Sequence, residues 1–214
     1  VDAAGGRITA GLLILEADGA FVTYDPTWAG EGGVPNRNRT FFVSVPPGTP
    51  TAVDAHGGRL YVLDPLSNQI WQYDPQGDMY PNPPNPYFVP APDRALNTVV
   101  DMAADGNVYL LYADGTLMKF WEGTAQAFAI QGLPDELGQT VDLAVDPASG
   151  TGQVYLVDHE NQRIVVLGAG GAFIHQYRAQ DEALFADLEA LAVDELSRRM
   201  YIISGDMLYL APLP

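Results

Sequence analysis

Four aspartates, Asp54, Asp105, Asp146 and Asp194, each close a short apolar segment and recur once per stretch of some 40–50 residues. Carboxylates returning at such intervals around one axis could hold Ca²⁺, which takes about six to eight oxygen ligands. They could equally cap turns by accepting backbone N–H bonds, and their presence in every repeat favours that structural role. The same holds for Asp64, Asp74 and Asp158. The three histidines, His56, His159 and His175, have no HxH or HxxxH neighbour. His56 and His159 fall in turns and His175 in an outer strand, so they read as hydrogen-bonded or solvated side chains rather than metal ligands. No Gly-x-Ser-x-Gly elbow and no P-loop is present. Cysteine is absent, which excludes a disulfide, a thiolate zinc site and a cysteine nucleophile. No catalytic residue emerges.

Binding chemistry is concentrated in two long segments, Pro26 to Thr40 and Pro75 to Pro86. They carry aromatic, arginine and proline residues. Proline stiffens such segments and lowers the entropy lost when exposed aromatics are ordered on binding. A patch of Trp28, Arg37, Arg39, Met79, Tyr80 and Tyr87 is the expected binding site. The alternative is that the loops only cap the sheet edges, with Trp28 and Tyr80 packed beneath them.

The elements that position these residues repeat. A tyrosine-led run appears as Tyr61-Val-Leu-Asp64, Tyr109-Leu-Leu-Tyr112, Tyr155-Leu-Val-Asp158 and Tyr201-Ile-Ile-Ser204, with tyrosines 48, 46 and 46 residues apart. Leu13-Ile-Leu-Glu16 is a fifth copy. Periods of about 20–50 residues mark repeat architectures. Each repeat holds short runs rich in Val, Ile, Tyr, Phe and Leu, bounded by Gly, Pro, Asp and Asn, which is strand chemistry. Ala17-Asp18-Gly19 and Ala113-Asp114-Gly115 read as hairpin turns. Asp181 to Ala192 is at most a helical turn feeding the last inner strand. Fourth strands are expected at Phe41–Val45, Tyr87–Val89, Ala127–Ile130 and Phe173–Tyr177. Four antiparallel strands per repeat is the β-propeller unit. The expected fold is thus an all-β propeller in one domain over 1–214, with repeats near 1–46, 51–90, 97–130, 140–178 and 188–214. The last repeat is incomplete, and the whole is part of a five- or six-bladed ring. A β-helix is the rival, but hairpin turns inside each repeat argue against it.

Composition narrows the partners. Formal net charge is −17 and Lys119 is the only lysine. Such a surface repels nucleic-acid backbones and anionic lipid. No apolar run approaches the length of a membrane-spanning helix. The chain opens mid-pattern at Val1-Asp2, as a piece of a longer protein would.

The fourth repeat, with Ala144-Val-Asp-Pro, then Val154-Tyr-Leu-Val-Asp158, Asn161, Arg163 and Ile164, resembles an NHL-type propeller repeat. The second repeat matches in part, through Asp64, Asn68 and Ile70, with Gln69 in the arginine position. Asn68 to Pro75, Tyr80-Pro-Asn-Pro-Pro and Asp101 to Gly106 resemble propeller regions of bacterial proteins headed by a PPM-type serine/threonine phosphatase-like domain. That resemblance implies an accessory domain without phosphatase chemistry. Related propellers include gluconolactonase-like calcium-dependent hydrolases, whose metal sits near the axis on a Glu, two Asn and an Asp. Glu189 and Asn97 are the residues here that resemble part of that set; a second axial asparagine is absent. The resulting expectation is a non-catalytic protein- or ligand-recognition or scaffolding domain of a larger bacterial protein, with no cofactor beyond a possible Ca²⁺. The calcium-dependent hydrolase and a small-molecule or carbohydrate sensor are the alternatives.

Overall fold

The computed structural model describes residues 2–4, 12–16, 20–29, 35–39, 48–77 and 80–213, with backbone alone for 2–4, 12, 23–29 and 35–39. They fall into two compact units, Val1–Asn97 and Thr98–Pro214. Apart from two 3-10 turns, Leu96–Thr98 and Glu182–Phe185, the regular structure among them is β-strand. The second turn is the one expected before the last inner strand, and Asp181 caps it by accepting the Ala183 N–H.

The first unit holds two four-stranded antiparallel meanders. The first blade is β1 (Asp2–Ala4), β2 (Leu12–Leu15), β3 (Phe21–Ala29) and β4 (Pro35–Arg39). The second is β5 (Ala52–His56), β6 (Arg59–Asp64), β7 (Gln69–Tyr73) and β8 (Asn85–Pro86). Leu13, Leu15 and Phe21 of the first pack with Val53, Ala55, Leu60, Val62 and Tyr73 of the second.

The second unit stacks three sheets. The third blade is β9 (Val99–Ala104), β10 (Val108–Tyr112), β11 (Leu117–Trp121) and β12 (Thr124–Gln126). The fourth is β13 (Thr140–Val145), β14 (Val154–Asp158), β15 (Arg163–Leu167) and β16 (Phe173–Tyr177). The last sheet has three strands, β17 (Leu188–Asp194), β18 (Arg199–Ser204) and β19 (Met207–Pro212). Every residue of β10, β14 and β15 is buried, and the third blade and the last sheet cover opposite faces of β14 and β15. That is why their sequences are almost continuously apolar. Each such Val, Leu or Ile contributes about 1.5–3 kcal/mol on leaving water.

Several expectations are corrected. The described residues make four complete blades, not the five or six of the expected ring, because no fourth strand joins β19. The segment 26–40 is not simply a loop: β3 and β4 pair from Val22↔Arg39 to Ala29↔Pro35, with an irregularity between Asp25 and Ala29 that accommodates Pro26, which has no N–H for a ladder. In the second blade the outer strand is Asn85–Pro86, ahead of the expected Tyr87–Val89, whose Tyr87 and Phe88 are buried. In the third blade it is Thr124–Gln126, ahead of Ala127–Ile130. Glu122 and Gly123 both have positive φ, 45° and 76°, which closes a two-residue hairpin and starts the strand at once. His56 ends strand β5 rather than lying in a turn. Residues 17–19 and 41–45 lie outside the described residues.

Candidate interaction surface

The four recurrent aspartates do not share one structural position. Asp54 sits inside β5 opposite Tyr61, where the third and fourth blades and the last sheet have Ala103, Ala144 and Ala192 opposite their tyrosines. Asp105 and Asp146 follow their strands, and Asp194 ends β17. Their carboxylates serve turns. Asp105 accepts from the Asn107 N–H and side-chain amide at 2.9 Å, Asp146 from the Ala148 N–H at 2.8 Å, and Asp194 from the Ser197 N–H at 2.8 Å. Bonds from Ser197 hold the Asp194 carboxyl below its ordinary pKa. Among the described residues no three His, Asp or Glu side chains gather as metal ligands. Asn97 belongs to the first unit and Glu189 to the second, and both are exposed.

A different pair of aspartates recurs in register. Asp101 lies opposite Leu111 and Asp142 opposite Val157, two residues past the leading tyrosine. Asp101 Oδ2 accepts the Leu143 N–H of the fourth blade at 2.7 Å. Asp142 Oδ2 accepts the Leu191 N–H of the last sheet at 2.8 Å. Each carboxylate thus ties the inner strand of one sheet to the next, and Asp146 repeats the link to the Glu195 N–H at 2.7 Å. At the equivalent position β17 has Ala190, opposite Ile203. The sequence carried this signal in Asp101 and Asp142, but the eye goes to the more regular Val-Asp and Ala-Asp steps.

The fourth blade's Asp158 and Arg163 are fully buried and paired at 2.7 Å. Arg163 also donates to Gln176 Oε1 at 2.9 Å and the Glu136 carbonyl at 2.7 Å, and Asp158 accepts from Gly138 N–H at 3.1 Å and from the Asn161 amide at 2.9 Å. A buried ion pair with its remaining hydrogen-bonding capacity engaged holds chain segments in place. In the second blade Asp64 takes the Ser67 hydroxyl at 2.5 Å and the Trp71 indole N–H at 3.2 Å, while Gln69 bonds both main-chain groups of Phe88. His159 Nδ1 meets the Leu188 carbonyl at 2.7 Å, and the His175 ring stands edge-on to Tyr177. Burial and the Glu195 carboxylate push the Tyr155 phenol well above its ordinary pKa.

The residues expected to form a binding patch are dispersed in role. Tyr80 is buried, meets the Tyr73 ring edge-on at 6.5 Å and donates to the Gly58 carbonyl at 2.6 Å. Burial pushes its pKa up to about 12. Tyr87 is buried between Tyr61 and Phe88. Trp28 lies on β3 and Arg37 and Arg39 on β4. Met79 lies outside the described residues.

The exposed apolar surface is elsewhere. In the third blade Tyr109, Leu111 and Leu117 are buried against Leu143, Val154, Leu156 and Val165 of the fourth. In the fourth, Tyr155, Val157, Ile164 and Val166 are buried against Leu188, Leu191, Met200 and Ile202 of the last sheet. Pairing registers make Tyr201, Ile203, Leu208 and Leu210 the equivalents of those four residues of the fourth blade. On the last sheet this face is bare, with Tyr201 37%, Ile203 41%, Leu208 67% and Leu210 61% exposed. Strand β18 accordingly alternates between exposed and buried where β14 is buried throughout. Contiguous apolar surface of this kind marks interaction sites. Sequence gave no warning of it, since the residue types match those of the buried blades.

No protein-family model and no curated protein matches the chain. Solved structures do. A chain of a nidogen–laminin complex superposes with a TM-score of 0.68 at 15% identity, over 100% of this chain and 75% of that one. The WD40 β-propeller domain of Doa1 superposes with a TM-score of 0.57 at 13% identity, over 99% of this chain and 64% of the other, just under two thirds of its length. The chain has the fold of a β-propeller. Among the described residues no helix is long and apolar enough to cross a membrane.

Proposed function

We propose that this chain is a non-catalytic recognition or scaffolding domain of a larger bacterial protein, and that it works by binding another polypeptide. The bare face of Tyr201, Ile203, Leu208 and Leu210 carries this reading. It keeps the residue types of an internal sheet junction while lying open to water. Covering these four side chains, which are 37–67% exposed, would release part of the roughly 1.5–3 kcal/mol that full burial of a large apolar side chain contributes, which is the driving force available to a partner. The carboxylates that could have served a metal are engaged with backbone donors. An NHL-like make for the fourth blade is supported by the way Asp158, Asn161 and Arg163 lock together. The hairpin of β3 and β4, which carries Trp28, Arg37 and Arg39, is a second contact within the same proposal.

Site-specific cross-linking tests it. Benzoylphenylalanine at Leu210 of the parent protein, in its source cells, is expected to give a discrete adduct that disappears in the Ile203→Ser/Leu208→Ser variant. The same adduct pattern from Trp121, 50% exposed on another sheet, would overturn the reading.

A further inference from the structure

The free edge of the last sheet, beside the bare face, has a specific hydrogen-bonding phase. In an antiparallel pair, residues that exchange main-chain bonds alternate with residues whose N–H and C=O point away. Leu213 N–H donates to the Arg198 carbonyl at 2.9 Å, which fixes that phase for β18 and β19. The bonded pairs are then Met200 with Ala211, Ile202 with Tyr209 and Ser204 with Met207, in the observed register. Leu208 and Leu210 therefore turn their main-chain N–H and C=O outward, and Pro212 its carbonyl. Among the described residues no strand pairs with this edge. The second blade shows what such a position takes when a strand is present. Ile70, equivalent to Leu208 by its pairing with Leu63, accepts the Tyr87 N–H at 2.9 Å.

We propose that β19 accepts an extended segment of a partner polypeptide as the missing fourth strand, antiparallel to it and bonded to Leu208 and Leu210. This rests on the recognition reading and names its mode, strand addition to an open sheet edge. The blades define the chemistry of the incoming strand. In the fourth blade Tyr177 and His175 stand opposite Ile164 and Val166, so bulky side chains opposite Leu208 and Leu210 would extend the apolar face. Charge defines it further. Residues 181–214 carry seven acidic residues and two arginines, within a chain of net charge −17. A basic segment is attracted and a second copy of this chain repelled. The partner segment is thus extended, apolar at alternate positions and positively charged.

The probe is the capped peptide Lys-Val-Lys-Val-Lys-Val-Lys, added to the isotopically labelled chain with amide exchange read by NMR. Free, the Leu208 and Leu210 amides should exchange fast while those of Tyr209 and Ala211 are protected by β18. Bound, Leu208 and Leu210 should slow by about tenfold or more. Leu210→Pro, which removes only an outward N–H from the ladder, should weaken binding by about tenfold, and Leu210→Ala by less. The peptide N-methylated at its valines, whose N–H groups must face Leu208 and Leu210, should not bind, whereas methylation of the intervening lysines should be tolerated. Absence of binding at millimolar peptide overturns strand addition. So does binding without slowed exchange at Leu208 and Leu210, and so does protection that grows with protein concentration alone, which would identify a second copy as the occupant. Each of these leaves the Leu210 cross-link to decide the broader reading separately.

Discussion

The fourth blade and the last sheet share their registers and differ in surroundings. Tyr155 faces Ala144 and Val166 across its strand; Tyr201 faces Ala192 and Leu210. The side chains are of the same kinds, yet one set is buried beneath a neighbouring sheet and the other stands in water. The difference is not in strand propensity or pattern. It is in whether another sheet covers the face. Burial in a repeat architecture belongs to the junction rather than to the repeat, so a repeat with one junction keeps one face exposed. The comparison also shows where the two have diverged. Asp158 and Arg163 pair across the β14–β15 turn, and the equivalent positions of the last sheet are Ser204 and Met207.

The largest expected effect tests that divergence. Arg163→Ala leaves the Asp158 carboxylate buried without its cation, at a cost of about 3–5 kcal/mol. Met207→Ala removes a side chain that is 57% exposed and should change stability by less than about 0.5 kcal/mol. Urea unfolding of both variants measures the pair. Equal effects would mean that the two turns are equally ordered, and the contrast would fail.

A smaller difference is expected on the strand faces. Ile164→Ala creates a cavity between the fourth blade and the last sheet and should cost about 3 kcal/mol. Leu208→Ala, at the equivalent position, should lie within about 0.5 kcal/mol of the parent chain. A Leu208→Ala penalty as large as that of Ile164→Ala would show that the face is covered in solution. A cover of that kind, made by a second copy, would also make the penalty depend on protein concentration.

What was legible beforehand follows the same division. The strands of the fourth blade were readable because a Tyr-led run, an Asn-x-Arg-Ile step and the β-prone segment Phe173–Tyr177 each specify local geometry, and the structure places β14, β15 and β16 on those residues. Outer strands were read less well. In the second and third blades the β-prone residues Tyr87, Phe88 and Phe128 follow the true strands and pack against tyrosines, with Tyr87 keeping one main-chain bond to Ile70. For Tyr80, which sits among prolines, the sequence left open a recognition residue or one packed beneath its loop; its ring is buried and its hydroxyl donates to the Gly58 carbonyl. The bare face was illegible for a physical reason. A sequence states which side chains are apolar; it does not state which neighbour arrives to cover them.

The finest test concerns the carboxylate that the last sheet lacks. Asp142 Oδ2 accepts the Leu191 N–H across the junction at 2.8 Å. Asp142→Asn keeps the size but weakens a charge-assisted bond, or turns an amide donor towards the Leu191 N–H, and should cost about 1–2 kcal/mol. Ala190→Asp places the same carboxylate on β17. If no inner strand lies beyond that face, the new group stays solvated and stability changes by less than about 0.5 kcal/mol. If a sheet does dock there with the geometry of the internal junctions, the restored carboxylate meets a main-chain N–H and docking is strengthened. Ala190→Asp therefore reports on the junction itself. A gain seen only in the presence of the partner would mean that the partner presents an inner strand to β17. No gain, alongside slowed exchange at Leu208 and Leu210, would place the partner on the outer edge alone.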